Sequence, residues 1–285
     1  MKCAKKSVLI IIVALSLSAC KPENSGARAI DSEAVLDRAN TTLESPSADE
    51  LMKTLLGDSI RVIDGRPIAE LVDPENRTLR RAFVVQPLLS ATLSSGESVL
   101  VVNAAPVDDS GEINESHSAP GYLNVFVFTT IAGKLQVAAR HENIDGMGTF
   151  GFLGKVSWVN LGYGRSAIAI SHGGTWQGYS KGYLSVFEVS QTAVRRLADN
   201  VRILASNEGA CLEPPECWSV TADVKYRLST TPGEYPDIEL DFTGRLPSEG
   251  EEIDQPYTAV SGTAIYRMTG EYYELSQGDN PVPEI

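Results

Sequence analysis

Histidine is scarce in this 285-residue chain, occurring only at positions 117, 141 and 172. His141-Glu142 opens like a zinc-protease helix, but position 145 is Asp, so no second ligand falls one turn on. None of the three has ligand spacing to a cysteine either, so no metal and no cofactor is expected. Phosphate loops, dinucleotide fingerprints and haem-attachment motifs are also missing. Basic residues are few, 24 against 37 acidic. Residues 1–19 hold Lys2, Lys5 and Lys6 and no acid, which leaves the remainder with a net charge of −16. Nucleic acid and anionic lipid would be repelled by such a body, which excludes binding to either through bulk charge. Long apolar runs are lacking too. The run at residues 8–15 (VLIIIVAL) falls well short of the ~20 residues a spanning helix needs.

What is present at the start is an address. A basic end, a short apolar run and small residues describe an export signal over residues 1–19. Leu17-Ser18-Ala19-Cys20 then resembles the lipobox of bacterial lipoproteins. The resemblance implies a diacylglycerol on the Cys20 thiol, cleavage before it and acylation of the new amine. Several acyl chains, each contributing about 0.8 kcal/mol per buried CH₂, anchor a protein without a transmembrane helix. Lys21 follows where the enteric inner-membrane retention signal has Asp, which points to the outer membrane with the body facing the periplasm. Membrane contact is then expected through this lipid alone.

An oxidising compartment suits the cysteines. Cys3 leaves with the signal and Cys20 carries lipid, so Cys211 and Cys217 remain, spaced around Pro214-Pro215. A disulfide across so short a loop would stabilise by about 2 kcal/mol. Residues 20–46 are small and polar and read as a flexible tether. Ser47-Ala48-Asp49-Glu50 fits a capping box, and Leu51, Met52 and Leu55 share a face before Gly57, predicting one short helix.

From residue 61 the pattern changes to period two. Short Val-, Ile- and aromatic-rich segments at 84–85, 98–102, 122–130, 134–138, 155–161, 166–171, 183–189, 194–198, 219–228, 237–242, 263–268 and 271–275 are separated by Gly, Asn, Asp and Pro. No helical pattern intervenes. The expected body, residues 47–285, is therefore all-β: antiparallel meanders, propeller-like or a β-sandwich, with a subdivision near 206–210 left open. Gly121-Tyr-Leu-Asn-Val-Phe126 returns as Gly182-Tyr-Leu-Ser-Val-Phe187, each flanked by apolar segments, so a three-strand unit recurs about every 60 residues. This unit faintly resembles the blades of integrin-type bacterial propellers, without their Asp-rich calcium loop.

His172-Gly173-Gly174 and Gly178-Tyr-Ser180-Lys-Gly182 imitate an oxyanion motif and a nucleophile elbow. Here a strand, not a helix, follows Ser180, and no histidine lies beyond 172. Both facts argue against a serine hydrolase. Asn143-Ile-Asp145 begins like a calcium loop, but Met147 occupies the next ligand position. Ser261-Gly-Thr-Ala-Ile-Tyr266 distantly resembles the SGxxY stretch of periplasmic lysozyme inhibitors, in which the Ser and Tyr enter the enzyme's cleft. One extra residue turns Tyr266 to the other strand face. Residues 172–182 read as a Gly-rich loop joining the segments 166–171 and 183–189. Trp176, placed in that loop, is the preferred exposed contact, and His172 and Tyr266 are the other candidate binding residues. No catalytic set is expected. The leading expectation is a non-catalytic binding or scaffolding lipoprotein that meets another envelope protein or a glycan. Inhibition of a cell-wall hydrolase and hydrolysis at Ser180 are the alternatives.

Overall fold

The computed structural model describes residues 45–57, 61–63, 65–108, 112–212, 217–248 and 257–285. Cys20, the export signal and almost all of the expected tether lie outside the described residues. The first sheet comprises β1 (Arg61–Ile63), β2 (Arg66–Val72), β3 (Arg80–Thr92), β4 (Ser98–Pro106), β5 (Gly121–Ile131), β6 (Lys134–His141) and the two-residue β7 (Gly146–Met147). The second comprises β8 (Lys155–Gly162), β9 (Arg165–Trp176), β10 (Tyr179–Val189), β11 (Val194–Ser206), β12 (Ser219–Arg227), β13 (Asp237–Pro247), β14 (Tyr257–Thr269) and β15 (Tyr272–Gln277). Within each sheet the strands pair antiparallel in chain order, except that β7 returns to the start of β5. The all-β expectation therefore holds, as two open meanders. β11 and β12 pair within one sheet on either side of residues 207–218.

Helix α1 (Ala48–Leu56) starts where the capping box predicts. Ser47 Oγ accepts the Glu50 N–H, and the Glu50 carboxylate accepts the Ser47 N–H at 2.9 Å. Leu51 and Met52 are buried against Phe83, Leu100, Phe126 and Phe128, so the helix covers one face of the first sheet. The opposite face of that sheet presents Val99, Val101, Leu123, Val125 and Val127 to Ile168, Ile170, Phe187 and Val189 of the second. Leu184 and Val186 point away from this interface, into a third cluster with Val220, Ile238, Leu240, Phe242 and Tyr273. The second sheet curls around that cluster without closing, and Val282 of the C-terminal segment is buried in it.

The repeated unit is structural. Each GYLxVF strand is the middle one of three, in β4–β5–β6 and β9–β10–β11. The Leu–Val face of the first unit packs on the Phe face of the second. The units thus stack front to back, and the second sheet covers its own remaining face.

One segment, 148–154, carries the chain from the first sheet to the second, and a buried amide holds it. Asn103 Nδ2 donates to Gly151 O at 2.9 Å, and Asn103 Oδ1 accepts the Leu153 N–H at 3.0 Å. Gly121 gives the segment room. A Cβ there would lie 2.2 Å from Asn103 Oδ1 and 2.5 Å from Leu153 N. A second buried network ties β2, β3 and β5 to the turn after β6. Glu142 accepts from Arg140 Nε (2.6 Å), the Val72 N–H (2.8 Å) and Arg80. Asn124 and Asn143 exchange bonds of 3.0 and 2.8 Å, and Asn143 also donates to Val72 O.

The Cys211–Cys217 disulfide forms, with Cα atoms 5.2 Å apart. The turn leading into it docks on the β9–β10 hairpin, where the Gly209 N–H donates to Gly178 O at 3.1 Å. That hairpin corrects one expectation. Residues 172–182 are not a Gly-rich loop: pairing continues through Gly173↔Gly182 and Gly174↔Lys181 to Trp176↔Tyr179. Only Gln177 and Gly178, both at positive φ, form the turn. Glycine's lack of a side chain permits this close pairing, since a Cβ on Gly173 would lie 2.0 Å from Lys181 O.

Replacing Asn103 by Ala should leave a buried N–H and a buried carbonyl unpaired and lower unfolding stability by about 3 kcal/mol. Urea unfolding of wild type and variant measures this directly, with Gln136→Ala on the exposed face of β6 as the control for a generic amide loss.

Stability should also depend on pH in a set direction. Burial pushes His141 and His172 below their ordinary 6.5. Burial alone would raise Glu142, but bonds from Arg140, Val72 and Arg80 hold it below 4.5. All three folded-state values lie below the unfolded ones, so the unfolded chain takes up protons first as pH falls. Stability should hold above about pH 6.5, decline below it as the histidines protonate on unfolding, and decline again under about pH 4.5. Urea midpoints across this range, with His141→Leu losing part of the first decline, provide the check.

Candidate functional site

The end of the stacked sheets that holds the 148–154 crossing also holds a cleft of about 270 Å³. Its walls come from segments far apart in sequence: His117 from the β4–β5 connection, Met147 from β7, Thr149 from the crossing, His172 and Trp176 from β9, Lys181 and Tyr183 from β10, and Asn200 from β11. Two of the three residues expected to bind, His172 and Trp176, therefore meet here. The glycine pair that imitates an oxyanion motif has a packing cause. A Cβ on Gly174 would lie 2.7 Å from Thr149 Cγ2, so the pair lets the crossing segment close one wall.

Trp176 is 58% exposed although it ends a strand. His117 meets it edge-on with centroids 4.8 Å apart, and Phe150 meets the other side of His117 at 5.0 Å. The His117 ring is fixed. Its Nε2 lies 2.5 Å from Thr175 O, which can only accept, so Nε2 carries a proton and donates it to that carbonyl. Phe150 is 55% exposed at φ +55°, a backbone region that bulky residues avoid. Exposed aromatics of this kind cost free energy in water and are a common anchor of recognition surfaces.

His172 is buried in the floor. Its Nε2 lies 3.0 Å from Ser185 Oγ, which also accepts the Asn200 N–H at 3.3 Å. Burial keeps this imidazole below its ordinary pKa, with Asp199 opposing weakly, so it is neutral at pH 7. Ser185 is 1% exposed. The hydroxyl that meets the histidine is therefore sealed from a substrate.

Among the residues lining the cleft there is no carboxylate, in a chain with 37 acids. The one lining ammonium, Lys181 Nζ, donates to Ile285 O at 3.3 Å. Asp145, beside the cleft, is engaged by Arg196 Nη2 at 2.6 Å, and Arg196 also reaches Asp199 at 3.1 Å. Burial raises the Asp145 pKa, with Arg196 opposing the shift. The Asn143 amide is committed to Asn124 and Val72, so these two oxygen ligands of the calcium-like stretch are both in use within the protein.

The other singled-out residues lie elsewhere or act differently. Ser180 Oγ pairs with Thr175 Oγ1 at 2.7 Å across the hairpin, within β10 and not at a strand-to-helix elbow. Tyr266 is 9% exposed inside the curl of the second sheet, and its hydroxyl accepts from Asn280 Nδ2 at 3.0 Å. Packing, not surface contact, accounts for its position. His117, Phe150 and Asn200 were not foreseen as site residues. The left-handed turn pattern Thr149-Phe-Gly-Phe152, with two aromatics between glycines, is the sequence signal that could have pointed to Phe150.

A second hollow of about 280 Å³ lies beyond Phe150, walled by Phe150, Phe152, Pro67, Gln86, Arg66 and Glu115 among others. Its two charges neutralise each other, Arg66 Nη1 to Glu115 Oε1 at 2.8 Å. The chain matches no family model, and no curated protein and no solved structure is detectably similar to it.

Proposed function

We propose that this protein is a non-catalytic binding module carried on a bacterial lipid anchor at the periplasmic face of the outer membrane. The observation that carries the binding part is the fixed aromatic series Trp176, His117 and Phe150 beside a cleft with no lining carboxylate. Trp176 and Phe150 are each more than half exposed, and the second is held in a costly backbone conformation. Sequence supports the anchor: Leu17-Ser18-Ala19-Cys20 follows a short apolar run, and a polar stretch separates Cys20 from the body. Tethering raises local concentration, so a modest surface of this size suffices to hold a partner near the membrane.

The His172–Ser185 contact gives the hydrolase alternative its best geometric footing, yet Ser185 is sealed and Ser180 has no histidine contact among the described residues. Inhibition of a cell-wall hydrolase through Tyr266 would require the strand segment to leave the core in which that ring is buried.

Two outcomes are expected. Cys20→Ser should abolish labelled palmitate incorporation and release the protein from membranes on sedimentation. Continued labelling of this variant would end the anchor assignment. In intact cells, crosslinking to a partner should fall with Trp176→Ala by more than about 1 kcal/mol in apparent affinity and be unchanged with Ser180→Ala. Loss with Ser180→Ala alone, in folded and lipidated protein, would favour the hydrolase instead.

A further inference from the structure

The cleft's chemistry narrows its ligand. A cationic group would find no lining carboxylate, and an anionic one only Lys181, already bonded to Ile285 O. A neutral ligand remains. At about 270 Å³ the cleft falls just below the range usual for drug-sized molecules, so it holds one ring-sized unit. One side of that unit would meet the exposed Trp176 ring, while Thr149, Tyr183, Asn200 and His117 place polar side chains around it. An aliphatic side chain would leave those polar groups dry and unpaired, which is unfavourable. A pyranose has the matching division, with C–H groups on its faces and hydroxyls around its edge.

The aromatic series does not stop at the first cleft. It runs from Trp176 through His117 to Phe150, and Phe150 with Phe152 walls the second hollow of about 280 Å³. That hollow is also neutral, because Arg66 and Glu115 are paired. Two hollows of nearly equal size, joined by aromatic rings, fit separate units of one polymer better than two unrelated small molecules.

Resting on the binding reading above, we propose that the two hollows take a neutral pyranose oligosaccharide, one ring against Trp176 and a later ring against Phe150. Trp158 and Trp218 are only partly exposed, so Trp176 is the chain's one exposed indole and its fluorescence reports occupancy of the first hollow.

The test titrates the full body with N-acetylglucosamine oligomers, from monomer to tetramer, alongside glucose oligomers of equal length. Saturable fluorescence change with either series, tightening at least tenfold from monomer to tetramer, is the expected result. Trp176→Ala, followed by calorimetry, should weaken the tetramer at least tenfold with an unchanged melting temperature. Phe150→Asn, which keeps a residue tolerant of positive φ, should weaken the tetramer but not the dimer. Absence of binding to both series overturns the oligosaccharide assignment. If Trp176→Ala nevertheless abolishes crosslinking in cells, the binding reading stands with a protein partner. If it leaves crosslinking intact, both readings fall together.

Discussion

The side-chain amide of Asn103 is the interaction on which the two-sheet arrangement rests. Each sheet is a meander that could form from local hairpins, and nothing in a meander dictates where the next sheet goes. Asn103 holds both Gly151 and Leu153 of the single crossing segment, and Gly121 leaves the space in which the amide meets it. With the crossing fixed, Leu153 is buried in the inter-sheet cluster and the second sheet lies over the first. A buried amide with both its bonds made loses little on desolvation, whereas its absence would strand two backbone groups in a dry interface. The crossing thus converts a local polar bond into the packing of two large apolar faces.

Burial of both sheet faces has a second consequence. In β4 and β5 nearly every side chain is inside, so the usual alternation of apolar and polar residues is suppressed there. Polar groups that remain must find partners within the protein. Asn124 and Asn143 pair with each other, Glu142 gathers Arg140, Arg80 and a backbone N–H, and His172 meets Ser185. Strands such as β6 and β12 return to alternation because one of their faces meets water. The rim cleft is lined by none of the chain's many acids.

This division explains what could be read from the sequence. The capped helix, the meander strands and the disulfide depend on neighbours within about ten residues, and their patterns were legible. The repeated GYLxVF strand signalled a repeated unit, because glycine at its start and apolar residues after it meet the same demands twice. The ends of β9 and β10 were not legible, since Gly173 and Gly174 look like a loop until the close approach of Lys181 and Thr149 is known. His117 was invisible as a site residue for a different reason. Its partners Thr175 and Trp176 lie 58 and 59 residues further along the chain, and only the crossing of the sheets brings them within reach.

Front-to-back stacking also fixes where a site can exist in this fold. At the interface itself, Leu123, Val125 and Val127 meet Ile168, Ile170, Phe187 and Val189 without room for a ligand. The far face of the first sheet is closed by the helix, and the second sheet curls over its own. One opening, of about 650 Å³, lies at the β12–β13 connection; the other that matters here is the rim, where the crossing leaves one sheet and has not yet joined the next. There the β4–β5 connection, the crossing and the β9–β10 hairpin converge from both units. Each brings one aromatic ring, His117, Phe150 and Trp176, to a surface that neither unit could form alone. The hairpin tip is in turn steadied by the turn of the Cys211–Cys217 loop through Gly209 and Gly178. The aromatic surface is therefore a product of the stacking, and any change that loosens the crossing should disperse it before the sheets themselves unfold.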